Sequence, residues 1–263
     1  MKRFISVILA AVLLFCSVPM TASDTGENTE KAAAALWDYL DVSRFGEKTV
    51  LSADIKPEFD FAVKSVCLIE AKTGTVLYEN DSDVRYMPAS VTKVMTLLLV
   101  FEAIDGGKIK LTDEITASSH AAEMGGTQIY LKPGETMTVE ELIKAVAIPS
   151  ANDAAVALAE YVAGSEDEFV RQMNEKAKTL GLENTNFTNC TGLFDDENHY
   201  TTAYDIAIMS RELIKHEKIF DFTTVWLDSL RDGAFTLANT NKMLRTYNGM
   251  KGLKTGFTKA SKY

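Results

Sequence analysis

A mixed α/β (α+β) domain is predicted for this 263-residue chain, with a helical middle and strands towards its two ends. Two short β-favouring runs, 65–70 and 75–79, flank Ala71-Lys72-Thr73-Gly74 and predict a hairpin with glycine in its turn. Helical patterning then dominates, and β-favouring runs return only at 235–237 and 252–258. Strands separated by so much helix predict a sheet assembled from distant segments.

At the start, Lys2 and Arg3 precede an apolar run from Phe4 to Val18, with small residues up to Ala22. Residues 1–22 therefore have the pattern of a secretory signal peptide, and the apolar run is too short for a membrane span. Residues 23–58 are polar and acidic apart from Ala32 to Leu40, which predicts a tether with one short helix. The folded domain is placed at 59–263. After Pro88, the nearly unbroken apolar stretch 94–104 predicts a helix buried on all sides, with Ser90 and Lys93 in its first turn. Thr138 and Glu141 have capping-box spacing and open a helix through Ala147 that Pro149 ends. An Ala-rich helix over 153–163 is closed by Gly164, and an amphipathic one over 166–180 stops at Gly181. A last helix is expected over 202–216, capped by Thr201 or Thr202.

Hydrophobic residues make up 46% of the chain, enough for a sizeable core. Loss of Lys2 and Arg3 would take the formal charge from −10 to about −12. An acidic chain without a Lys/Arg cluster excludes nucleic acid as a partner. Cys67, within Val66-Cys67-Leu68-Ile69, is expected to be a buried thiol rather than disulfide-bonded to Cys190. No Cys/His spacing fits zinc, so no metal is expected. His199 follows Asp195-Asp196-Glu197-Asn198, which predicts a solvated loop ahead of a capped helix. A Ser-His-Asp triad finds no nucleophile elbow of the Gly-x-Ser-x-Gly kind to support it.

Three motifs bear chemistry, each with a bland alternative. Ser90-Val91-Thr92-Lys93 places an amine one helical turn from a hydroxyl. A lysine is a base only when its pKa falls well below about 10.4, as burial or a second cation such as Lys254 would cause. The helix end adds backbone N–H groups suited to a developing oxyanion. The bland alternative makes Ser90 a cap and Lys93 a solvated residue. Ser150-Ala151-Asn152 sits at a helix break, where a hydroxyl can relay a proton and an amide can hold a substrate amide. Either residue could instead simply cap the next helix. Lys254-Thr255-Gly256 reads as a strand offering a charge and a hydroxyl to a carboxylate, with Gly256 permitting close backbone approach. The earlier Lys72-Thr73-Gly74 belongs to the hairpin turn. Together the motifs describe acyl transfer on a peptide-like substrate with a free carboxylate.

The flanking residues sharpen this. Pro88-Ala89-Ser90-Val91-Thr92-Lys93-Val94-Met95-Thr96, Ile148-Pro149-Ser150-Ala151-Asn152-Asp153 and Gly252-Leu253-Lys254-Thr255-Gly256-Phe257-Thr258 resemble the motif segments of the D-alanyl-D-alanine carboxypeptidases, low-molecular-mass penicillin-binding proteins of bacteria. So do Asn239-Thr240-Asn241-Lys242, Gly192-Leu193 and His199 through Asp205. The resemblance implies a penicillin-binding-protein/β-lactamase-like transpeptidase fold, mostly antiparallel sheet flanked by helices. It implies Ser90 as acylated nucleophile, Lys93 as its base and Ser150 as proton shuttle. Asn152, Lys254, Thr255, Gly256 and Phe257 would bind substrate, and the N–H groups of Ser90 and Phe257 would form the oxyanion hole. No metal or organic cofactor is implied. The implied partners are peptidoglycan stem peptides ending in D-Ala-D-Ala, with β-lactams as acylating inhibitors, on the cell-envelope face of a bacterial membrane. Rivals are a serine β-lactamase, whose deacylating Glu would best match Glu183-Asn184, and a non-catalytic penicillin- or wall-binding protein. The family's domain continues past the third motif, whereas this chain stops at Tyr263. The last strands and closing helix are thus expected to be missing, as is the C-terminal tail through which family members associate with membranes. Such a truncated form is expected to be unstable and weakly active alone.

Overall fold

In the computed structural model, which describes residues 63–257, the helix after Pro88 forms the centre of the fold. The signal-peptide and tether assignments at 1–22 and 23–58 lie outside the described residues, as do the residues after Phe257. This helix, α1 (Lys93–Asp105), is apolar on every face: Met95, Leu98 and Val100 are 0% exposed, Leu97 and Phe101 1%. Burying side chains all round requires neighbours all round. They are α4 (Asn152–Ala163), α5 (Glu166–Thr179) and α6 (Ala203–Leu213). In α4, Ala154, Ala155, Ala157 and Ala159 are buried, and such small side chains let adjoining helices approach closely.

Local signals set most boundaries. After the short α2 (Ser119–Ala122), the helix α3 (Val139–Ala147) opens with the expected capping box, Thr138 accepting from the Glu141 amide at 3.2 Å while Glu141 accepts from the Thr138 amide at 2.9 Å. Gly164 ends α4 with φ +91, a left-handed conformation that favours glycine. Thr202 caps α6 by accepting from the Asp205 amide at 3.0 Å. Preceding α1 is a tight 3-10 turn, Ala89–Thr92, so Ser90 does not occupy the first α-helical turn as expected.

The strands pair antiparallel. β1 (Val66–Ile69) and β2 (Val76–Asn80) form the expected hairpin around Lys72-Thr73-Gly74, with Gly74 at φ +80. β3 (Glu114–Thr116) pairs with β4 (Thr136–Thr138), and β5 (Leu227–Leu230) pairs with β6 (Phe235–Ala238). These are three separate two-stranded ladders, so the expected sheet of distant segments is not found among the described residues. Nor is 252–257 a strand. A strand exists only where a neighbouring chain supplies a ladder, and this segment is held by side chains instead. Thr223 Oγ1 donates to the Lys251 carbonyl at 2.7 Å, and Asn241 Nδ2 donates to the Gly252 carbonyl at 3.2 Å. Among the described residues no helix is long and apolar enough to cross a membrane.

Candidate active site

The 3-10 turn has a direct consequence for the first motif. With three residues per turn, side chains at i and i+3 eclipse one another. Ser90 and Lys93 are therefore stacked, with Lys93 Nζ 3.2 Å from Ser90 Oγ. Lys93 is 0% exposed, so the solvated alternative fails. Its amine donates to Asn152 Oδ1 at 2.6 Å and to the Thr191 carbonyl at 2.8 Å. Burial, aided by the charge of Lys254, holds its pKa well below the ordinary lysine value. A neutral amine has two hydrogens and one lone pair. With both hydrogens committed to Asn152 and Thr191, the lone pair is left for the Ser90 hydroxyl proton. That is the hydrogen-bond polarity a general base requires.

Asn152 opens α4, but its side chain does not cap it; the N-cap is Ala151, which makes no side-chain bond. Asn152 Nδ2 donates to the Gly125 carbonyl at 2.8 Å, which orients Oδ1 towards Lys93. The expected substrate-amide holder is thus also the partner that orients the amine. Ser150 sits one residue before Ala151 at φ +76, 5% exposed, and its Oγ has no hydrogen-bond partner in the structure. A buried hydroxyl with no protein partner is available to a water or to a substrate group. It does not cap α4 either.

The third motif closes against the nucleophile turn. A Cβ at Gly256 would lie 2.9 Å from the Pro88 carbonyl oxygen and 3.0 Å from the Val91 side chain, so glycine is needed for this approach. Thr255 Oγ1 donates to Thr240 Oγ1 at 2.6 Å, and Lys254 Nζ donates to the Thr255 carbonyl at 2.8 Å. Burial lowers the Lys254 pKa to about 7. Phe257 follows with its side chain exposed. All eight predicted site residues are therefore described; Lys93 contacts both Ser90 and Asn152, and Gly256 packs on the same turn.

Sequence reasoning missed the loop that completes the amine's surroundings. Asn189 Oδ1 accepts from the amides of Thr191 (3.1 Å) and Gly192 (2.6 Å), shaping the turn that presents the Thr191 carbonyl to Lys93. It also missed His199. Rather than lying in a solvated loop, His199 is 1% exposed, and burial lowers its pKa to about 4. The only signal at these positions was the local resemblance around Gly192-Leu193 and His199. Cys190 is fully buried, Cys67 is half-buried rather than buried, and no disulfide joins them. Among the described residues no cluster of three or more His, Cys, Asp or Glu could hold a metal.

Residues 51–263 match the family model described as D-alanyl-D-alanine carboxypeptidase. The chain is 46% identical over 267 residues to D-alanyl-D-alanine carboxypeptidase DacF of Bacillus subtilis, covering 100% of this chain and 61% of that protein. It is 38% identical to DacC of Escherichia coli over 203 residues, 74% of this chain and 50% of the relative. The chain thus spans between half and about three-fifths of these curated relatives. Among solved structures, penicillin binding protein 6B from Escherichia coli matches with TM-score 0.72 and 31% identity, over 81% of this chain and 68% of that one. Penicillin-Binding Protein D2 from Listeria monocytogenes, in its ampicillin-bound form, matches with TM-score 0.70 and 30% identity, over 78% and 83%. The penicillin-binding-protein fold expected from the motifs is the fold of these neighbours. On the family match and these identities, the chain belongs to the D-alanyl-D-alanine carboxypeptidase family.

Proposed function

We propose that this chain carries the acylation site of a serine-type D-Ala-D-Ala carboxypeptidase, which removes the terminal D-alanine from peptidoglycan stem peptides and is trapped by β-lactams. The observation that carries the reading is Lys93: a fully buried amine 3.2 Å from Ser90 Oγ, whose two hydrogens in the neutral form go to Asn152 and to the Thr191 carbonyl. Lys93 takes the Ser90 proton as the hydroxyl oxygen attacks the penultimate D-Ala carbonyl carbon. The amide nitrogen of the terminal D-Ala receives a proton relayed through Ser150 and departs, leaving an ester on Ser90. Water then hydrolyses that ester. Asn152 positions the peptide, Lys254 and Thr255 take its terminal carboxylate, and the amides of Ser90 and Phe257 stabilise the oxyanion. The site acts outside the cytoplasm, after export by residues 1–22, with residues 59–263 as the acyl-transfer domain.

A fast-deacylating β-lactamase finds no support in its candidate carboxylate. Glu183 is exposed in the turn after α5, and neighbouring Asn184 is held by Arg85 at 2.8 Å. The buried Asp153 carboxylate is committed to the amides of Ile129, Leu131 and Ala154. Mass spectrometry of a D-Ala-D-Ala pentapeptide incubated with the protein tests the reading. Loss of one D-alanine supports it; rapid turnover of a chromogenic cephalosporin with an unchanged peptide refutes it.

Lys254 adds a pH signature. At pH 8 the free amine, with its pKa lowered to about 7, is mostly neutral. A bound carboxylate favours the ammonium. Binding of a carboxylate ligand at pH 8 should therefore take up a proton, and affinity should weaken about tenfold per unit above pH 7 until the pKa in the complex is reached. Calorimetry in buffers of different ionisation enthalpy measures the uptake, which Lys254→Met should abolish.

A further inference from the structure

Directly beneath the nucleophile turn runs a line of hydrogen bonds whose proton direction is fixed at every step. The Thr188 amide donates to His199 Nδ1 at 3.0 Å. A backbone N–H can only donate, so Nδ1 holds the lone pair and the ring proton lies on Nε2. Nε2 is 2.8 Å from Thr92 Oγ1 and donates to it. The Thr92 hydroxyl in turn donates to the Ala89 carbonyl at 2.8 Å. From His199 through Thr92 to Ala89 the line is buried, and its His199–Thr92 link joins residues 107 positions apart in sequence.

Its end point is unusual. Ala89 has φ +49, in the left-handed region that non-glycine residues rarely adopt, and such conformations persist only where surroundings over-determine them. Here the Ala89 carbonyl is gripped by Thr92 and walled by Gly192, where a Cβ would lie 1.8 Å from its oxygen. The next residue is Ser90. We infer that His199, acting through Thr92, is a positioning residue for the nucleophile: the relay fixes the Ala89 carbonyl, and thereby the left-handed turn from which Ser90 faces Lys93. Both side chains are buried beneath the turn, each residue being 1% exposed. The inference rests on the acyl-transfer reading above.

The test is stopped-flow acylation of the full-length chain by a fluorescent penicillin, resolved into a non-covalent binding constant and an acylation rate constant. Thr92→Val keeps the shape and removes the hydroxyl. It should slow acylation by about tenfold to a hundredfold, as expected for a misplaced nucleophile, with binding within about twofold of the unsubstituted chain. Thr92→Ser keeps the hydroxyl and should acylate at nearly the original rate. A folded Thr92→Val that acylates normally overturns the relay, and so does a Thr92→Ser as slow as Thr92→Val. Should Thr92→Val fail to fold, Thr92→Ser decides alone: a near-original rate supports the relay, a tenfold loss overturns it. Absence of acylation in the unsubstituted chain overturns instead the acyl-transfer reading beneath it.

Discussion

Lys93→Met is expected to slow acylation of Ser90 by about 10²–10⁴-fold, the contribution typical of a positioned general base. Methionine matches the length of the lysine stem and is at home in an apolar site. The protein should therefore fold, at a cost of about 1–3 kcal/mol for leaving acceptors such as Asn152 Oδ1 without a donor. The same variant changes how stability depends on pH. The folded state holds the Lys93 amine neutral well below the ordinary lysine range. The unfolded chain binds a proton there below about pH 10.4. Between the folded and unfolded pKa values the unfolded state carries more protons, so stability rises with pH and falls as pH is lowered. Lys254, also lowered, contributes a slope of the same sign. Urea unfolding at pH 7 and pH 9.5 should show a shallower slope for Lys93→Met than for the unsubstituted chain. An unchanged slope would mean that Lys93 is not held neutral.

Gly192→Ala should be the most damaging single-methyl substitution in the domain. The added Cβ would lie 1.8 Å from the Ala89 carbonyl oxygen and 2.6 Å from Thr92 Oγ1, at a φ of +71. Both neighbours belong to the turn that presents Ser90, and one of them is backbone, which cannot swing aside. We expect a loss of about 3–5 kcal/mol in stability, the range of the severe point substitutions, together with loss of acylation in whatever protein remains folded. Gly134→Ala is the control, since it has φ +83 and nothing within 4 Å of its added Cβ. It carries the left-handed strain without the collision, and should cost only about 1 kcal/mol. If the two variants melt alike, the contact at Gly192 is not what holds the turn.

What was legible in the chain follows a physical division. The capping box at Thr138, the glycine stop at Gly164 and the hairpin around Gly74 are set by neighbours within a few residues, and each appears where local chemistry places it. The stacking of Ser90 on Lys93 was legible as a spacing. Its 3-10 form was not, because the turn depends on Thr92 reaching His199 across the fold. His199 misled because the acidic residues before it predict solvent. Its burial is decided instead by Thr92 and by Phe187, whose ring lies 5.7 Å away edge-on. Asn152 was readable as functional, yet its grip on Lys93 spans 59 positions. The third motif looked like a strand because apolar Met250 and Leu253 precede it and Phe257-Thr258 continue it. Such residues state a preference, and the ladder that would realise it must come from elsewhere.

Peptide mapping by mass spectrometry after brief exposure to benzylpenicillin tests the central claim, that Ser90 activated by Lys93 is the acylated nucleophile, most directly. A single penicilloyl adduct on the peptide containing Ser90, absent from Ser90→Ala and slow to appear in Lys93→Met, is the predicted result. An adduct on Ser150 or Cys190, or acylation at an undiminished rate in Lys93→Met, would contradict it.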